Sequence, residues 1–193
     1  MVERSLYMRH VGGSNPSVPT MIFEEVVKKR QSTRSYLPKK VPVGLIAKML
    51  EMANLAPSAG NLQARKVVIV RDEEVIKKIK EVTSGLGRFS DNIPLIFVVC
   101  AVPEVSAVRY EERGRNLYAL QDATIFASYL QLAAVSLDLA SCWVGSFKER
   151  RVSEICNLPE NLIPVAMIPV GFSNEEPREK HRKSLAELIL KRI

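Results

Sequence analysis

Apolar and polar positions alternate along this chain with two different periods. Residues 23–29 place Phe23, Val26 and Val27 on one face of a short predicted helix. Residues 35–42 read as a loop, broken by Pro38 and Pro42. In residues 43–56, Leu45, Ile46, Met49, Leu50 and Ala53 recur at helical spacing until Pro57 stops the run. A small, polar stretch, 57–63, follows. Residues 66–70 are a β-branched run of the kind buried strands use. Asp72 then caps a helix to about residue 82, with Glu73 and Glu74 at its positive end. A glycine-rich connection at 85–88 leads to a second buried strand at 94–101.

The second half begins with a charged segment after Pro103. Residues 117–139 form a long predicted helix that is apolar almost all round, the pattern of a helix in a core or an interface. Gln121, Asp122 and Gln131 interrupt it, which argues against a membrane span of roughly 20 apolar residues. A third strand is predicted at 141–147, a short helix at 149–156 and a fourth strand at 164–172. Pro169 marks that last strand as an edge or an irregular point. The tail, 180–193, starts basic and ends apolar, as segments that dock on a partner do. Residues 1–20 read as a flexible arm, leaving 21–193 as a single domain.

Composition narrows the function. The net charge is +7, but the basic residues are scattered and the 6% of aromatics do not interleave with them, so a nucleic-acid platform is not expected. The charge fits an enzyme that handles phosphate-bearing cofactors. Cys100, Cys142 and Cys156 have no CxxC spacing, and the two histidines, His10 and His181, are unpaired, so no metal site is expected. The cysteines lie in apolar stretches, as buried thiols of a cytoplasmic protein do. No glycine fingerprint for a dinucleotide, no P-loop and no nucleophile elbow is present.

One short run carries candidate chemistry. Arg30, Ser32 and Arg34 set two guanidinium forks and a hydroxyl at alternate positions, a donor set suited to a small dianion. Alone, such a run on a basic protein is more often solvated surface. Three further elements change that weighting. They are residues 57–63 (with Pro57, Ser58, Ala59, Asn61 and Gln63), residues 142–147 (with Cys142, Trp143, Val144 and Gly145), and Lys180 with Arg182.

In this order and spacing, together with Pro169 and Gly171 in the fourth strand, these elements resemble the FMN-dependent nitroreductase family over roughly residues 22–190. The resemblance implies an α+β fold: a three-layer α/β/α sandwich with a mostly antiparallel central sheet flanked by helices. It implies an interlocked homodimer, with the C-terminal segment crossing to the partner. Arg30, Ser32, Arg34 and Arg182, with Lys180, would hold the FMN phosphate. Pro57, Ser58, Ala59 and Asn61 would reach the flavin of the other subunit. The backbone around Val144, Gly145 and Ser146 would line the isoalloxazine. NADH or NADPH would supply electrons, and nitroaromatics, quinones or similar small molecules would accept them by a ping-pong route. No side chain is expected to act as acid or base, because the flavin carries the chemistry. The same fold also serves dehalogenation, enone reduction, flavin fragmentation and non-enzymatic flavin binding. Ala59 stands where many members have serine, and Ala64 and Arg65 replace their Pro-Trp. The choice between NADH and NADPH stays open, with Arg65 or Arg109 available to a phosphate. The 85–88 connection has no assigned place.

Overall fold

Four strands pair into one antiparallel sheet. The structure, a computed structural model, describes residues 21–191. Strands β1 (Arg65–Val70), β2 (Ile96–Ala101), β3 (Ala140–Ser141) and β4 (Ile163–Gly171) lie in the order β1-β2-β4-β3. Val67 pairs with Val99, and Val98 with Met167. Side chains alternate across a strand, so β2 feeds two cores. Phe97, Val99 and Ala101 join Ala166, Ile168 and Val170 on one face, beneath helices α2 (Val43–Asn54) and α5 (Ala119–Ser136). Ile96, Val98 and Cys100 join Met167 on the other, against α3 (Glu73–Glu81) and α6 (Glu149–Ile155). The result is the expected sandwich of helices, sheet and helices. The arm expected over residues 1–20 lies outside the described residues.

Local chemistry fixes the element ends. The Asp72 carboxylate accepts the Val75 N–H at 3.0 Å and caps α3. Acidic Glu73 and Glu74 open α3, and basic Lys78 and Lys80 close it, both favourable to the helix dipole. In α1 (Phe23–Lys29) only Val26 is buried. Phe23 and Val27, expected on the same inward face, are exposed in the single chain.

Two expectations need correction. The charged segment after Pro103 is itself a helix, α4 (Pro103–Arg113), started by proline at its first position. It runs through a π-helical turn, Gly114–Tyr118, into α5. Thus the long helix expected at 117–139 begins as a continuation of α4, and its regular α5 part spans Ala119–Ser136. Ala119, Ala123, Phe126, Ala127, Leu130 and Ala134 are buried, while Leu120 and Tyr129 are exposed. No helix of the described residues is long and apolar enough to cross a membrane.

The second correction concerns the strand expected at 141–147. Regular pairing covers Ala140–Ser141, and a lone bridge joins Val144 to Met167. Between them the Cys142 N–H donates to the Pro169 carbonyl at 3.3 Å, but Pro169 has no N–H to return. Pro169 therefore sits in an interior strand, not an edge one, and interrupts the ladder on one side only.

Candidate functional site

The Arg30–Arg34 run continues from α1 as an extended ribbon. The Arg30 N–H closes the helix on the Val26 carbonyl at 2.9 Å. The Thr33 N–H then donates to Ser141 at 3.1 Å, which seats the ribbon beside β3. Side chains alternate, so Thr33 is buried while Arg30, Ser32 and Arg34 are half-exposed. Tyr36 anchors the far end. Its hydroxyl donates within reach of the Thr33 and Pro169 carbonyls, at 2.8 and 3.2 Å, and burial pushes its pKa well up.

Residues 173–180 lie along this ribbon as a strap. The Asn174 N–H donates to Ser35 at 3.0 Å, the Arg34 N–H donates to the Glu175 carboxylate at 2.8 Å, and the Arg178 N–H donates to the Gln31 side chain at 2.9 Å. The Lys180 ammonium donates to the carbonyls of Lys28 and Arg30, the latter at 3.1 Å. Lys180 is thus beside the ribbon but partly engaged by main chain. Arg182 donates to the carbonyl of its neighbour, His181, and makes no hydrogen bond to the ribbon among the described residues. The Arg30 guanidinium has no hydrogen-bond partner there, and Arg34 commits only one donor, to the Ser32 carbonyl at 3.3 Å. Burial pushes the Cys142 thiol pKa up, against the opposing influence of Arg34, Ser32 and Arg30. Uncommitted guanidinium donors and a hydroxyl along one edge fit the phosphate of FMN by donor chemistry.

The 57–63 loop forms a second element. Gly60, Asn61 and Gln63 all take left-handed backbone angles, with φ of 55°, 57° and 53°. Asp122, on α5 and 1% exposed, holds the loop: its two carboxylate oxygens accept the N–H groups of Ala59 at 2.9 Å and Ala64 at 3.1 Å. The Ser58 hydroxyl accepts the Gln63 N–H at 3.0 Å. Arg65 lies under the loop rather than at its rim. It is 7% exposed, donates to the carbonyls of Asn54 and Ala56 at 3.1 and 3.3 Å, and sits 5.3 Å from the Phe126 ring. Burial lowers its pKa, and the Asp122 charge opposes that. Pro57 and Asn61 remain exposed; Ser58 and Ala59 are half-exposed. A lone carboxylate on the apolar stripe of a helix reads from the sequence as a buried structural group without chemistry, and Asp122 is such a group here; what the sequence does not show is the loop it holds.

At the third element, Val144 exchanges both backbone hydrogen bonds with Met167, each at 2.9 Å, and is buried. Gly145 and Ser146 project beyond it, and the Gly145 N–H has no partner among the described residues. The glycine connection finds its place here. The Gly85 N–H donates to the Ser146 carbonyl at 3.0 Å, and the Ser84 and Ser146 hydroxyls lie 2.9 Å apart. Trp143 packs partly buried against the α2–α5 core. The described residues contain no cluster of metal-ligating side chains.

The fold is a sandwich about an antiparallel sheet, with an open cationic ribbon along β3. Comparison with known proteins gives the family. The profile of the Nitroreductase family matches residues 27–172, and the chain belongs to that family. It is 33% identical over 172 residues to a "Putative NADH dehydrogenase/NAD(P)H nitroreductase" of Methanothermobacter thermautotrophicus, covering 87% of this chain and 84% of that protein. A protein of the same description from Archaeoglobus fulgidus is 31% identical over 156 residues, covering 79% and 86%. Among solved structures, a nitroreductase family protein of Clostridium difficile superposes with a TM-score of 0.77 at 30% identity, covering 88% of this chain and 97% of that one. A second C. difficile structure, an FMN-dependent nitroreductase, gives 0.70 at 28% identity, covering 81% and 90%.

Proposed function

We propose that the chain is an FMN-dependent NAD(P)H oxidoreductase, working in the cytoplasm as a homodimer with shared flavin sites. The observation that carries this reading is the open edge of the Arg30–Arg34 ribbon, held in place by a strap whose Lys180 is 150 positions away. Arg30, Ser32 and Arg34 hold the FMN phosphate, joined by Arg182 and by Lys180, which also fixes the ribbon's main chain. Family membership and the names of relatives support the cofactor and the nicotinamide donor.

FMN, when bound, supplies the hydride chemistry. The chain's own residues bind and orient. Pro57, Ser58, Ala59 and Asn61 face the flavin of the neighbouring subunit, presented in one shape by Asp122. The uncommitted Gly145 N–H is a donor for the flavin edge, at a residue that allows close approach. Val144 fixes that donor through its pairing with Met167. No general acid or base is assigned. Donor and acceptor occupy one face in turn, which gives ping-pong kinetics, with nitroaromatics, quinones or similar small molecules as acceptors. The exposed Leu185, Leu188 and Leu190 of the tail suit a crossing onto the partner subunit.

The test is a visible spectrum of the purified protein, with anaerobic addition of NADH or NADPH. Flavin bands that bleach on addition are expected, from a protein eluting as a dimer. A colourless protein that takes up no FMN would overturn the reading. A monomer that binds FMN tightly would overturn the shared site.

A further inference from the structure

The sequence leaves two arginines open to a phosphate on the electron donor, and the structure separates them. Arg65 is buried beneath the 57–63 loop, with its Nη2 donating to the carbonyls of Asn54 and Ala56. One side of its guanidinium is thereby committed to the main chain beneath the loop. Arg109 is exposed on α4 and has no hydrogen bond or ion pair among the described residues.

Arg109 also lies against the loop. A Cβ built on Gly60 would come within 2.9 Å of the Arg109 Nη1 and 2.7 Å of the Tyr110 hydroxyl. The glycine leaves room for these two side-chain tips to lie directly on the loop. Immediately beyond, the helix departs from regular geometry twice. Glu111 takes φ 48° and ψ −132°, and residues Gly114–Tyr118 form the π turn. Such positions persist only where surrounding packing over-determines them, and they concentrate at ligand sites.

The packing is visible. Gly114 is seated against the Ser106 carbonyl, where a Cβ would lie at 2.4 Å. Arg115 holds Glu104 through two donors, at 2.9 and 3.0 Å, and also pairs with Glu112. The Arg113 Nε donates to the Tyr118 hydroxyl at 2.9 Å, and the Tyr110 and Tyr118 rings meet edge to face at 5.0 Å. Arg113 and Arg115 are therefore committed, and Glu112, one turn along, is taken up by Arg115 and Asn116. Arg109 alone of these three arginines keeps its fork open, beside the aromatic surface of Tyr110.

We propose that Arg109 reads the 2′-phosphate of the electron donor, so that the chain takes NADPH in preference to NADH. This rests on the flavin reading of Pro57, Ser58, Ala59 and Asn61, because that reading puts Arg109 at the mouth of the same site. The chemistry favours discrimination. A guanidinium fork matches a phosphate dianion in two parallel hydrogen bonds, and the 2′-hydroxyl of NADH offers no charge there. A contact to the pyrophosphate, common to both donors, would serve them equally.

The experiment measures bleaching of the flavin by NADPH and by NADH, in the unaltered dimer and in Arg109→Ala, Arg109→Lys and the distant charge control Lys77→Ala. Loss of a charge-assisted phosphate contact lowers kcat/KM for NADPH roughly tenfold to a hundredfold. NADH is expected to change less than about threefold, Arg109→Lys to recover part of the loss, and Lys77→Ala to leave both donors alone. Calorimetry supplies a readout independent of turnover: adenosine 2′,5′-bisphosphate binds the unaltered protein more tightly than adenosine 5′-monophosphate, and Arg109→Ala removes the difference. Equal losses for the two donors, or no loss, overturn the proposal while flavin function stands. FMN-loaded protein that neither donor reduces overturns the oxidoreductase reading itself.

Discussion

Replacing Asp122 by alanine tests the site at its base. The carboxylate is 1% exposed and accepts two main-chain N–H groups, from Ala59 and Ala64. Hydrogen bonds to a charged group contribute about 1.5–3 kcal/mol each, and an N–H left buried without a partner costs a similar amount. Ala64 is fully buried, so water does not replace that partner freely. The two bonds also hold Gly60, Asn61 and Gln63 in left-handed geometry, which is unfavourable for Asn and more so for Gln. A total loss of about 3 kcal/mol follows, or roughly 6–12 °C in Tm for a domain of this size. Asp122→Asn keeps one accepting oxygen but points an amide donor at the other N–H, so its loss is intermediate. Urea unfolding gives the stability, a fluorescence titration gives FMN affinity, and hydrogen exchange at Ala59 and Ala64 locates the effect. Disorder confined to the loop is expected to weaken FMN binding by about tenfold or more, equivalent to about 1.4 kcal/mol. Unchanged protection at Ala59 and Ala64, with Tm within about a degree, would refute the brace.

Three further outcomes follow from the same geometry. Arg30→Ala lowers FMN affinity by at least about tenfold, whereas Lys29→Ala, whose ammonium is already paired with Asp138 at 2.6 Å, changes it little; equal effects in the titration would remove Arg30 from the phosphate site. Gly85→Ala places a Cβ 2.8 Å from Val144 and 3.1 Å from the Ser146 carbonyl, and overpacking of this kind costs about 1–3 kcal/mol in a denaturant titration. Burial raises the Cys100 thiol pKa from 9.0 to about 12, so above pH 9 the unfolded chain loses a proton that the folded chain keeps. The stability associated with that thiol is intact below pH 9 and lost as pH rises towards 12. Cys100→Ala is expected to flatten the alkaline fall of the urea midpoint, and an unaltered alkaline limb would exclude this thiol as its source.

Much of the fold is legible because its signals are local. The strands at 65–70 and 96–101 are dense in β-branched residues, and Asp72 announces its helix through one side-chain bond. The helix α4 is not legible by periodicity, since charged and apolar side chains mix without an inward stripe and only Ser106 is buried; Pro103 is the usable signal. The split in the third strand depends on Pro169, some 27 positions later, and so on a pairing that no local window contains. At the site, the ribbon and loop are recognisable by residue type. What fixes them is long-range: Glu175 on the Arg34 N–H, Asp122 under the loop, and Gly85 on Ser146. Arg65 shows the limit most clearly, because residue type alone makes it a rim cation whereas its neighbours make it a buried prop.

The proline in β4 has one more consequence, for how this molecule meets others of its kind. An exposed sheet edge is a template on which a foreign strand can add hydrogen bonds. Here the outer side of β3 is covered by the Arg30–Arg34 ribbon, and beneath it β3 pairs regularly over only two residues before Pro169 withholds the next donor and the ladder thins to a single bridge. An intruding chain that displaced β3 would meet the same gap, with one hydrogen bond missing opposite Pro169 whatever its own sequence. The residue that breaks up the strand leading to Gly145 thus also makes this edge a poor seed for strand-to-strand aggregation.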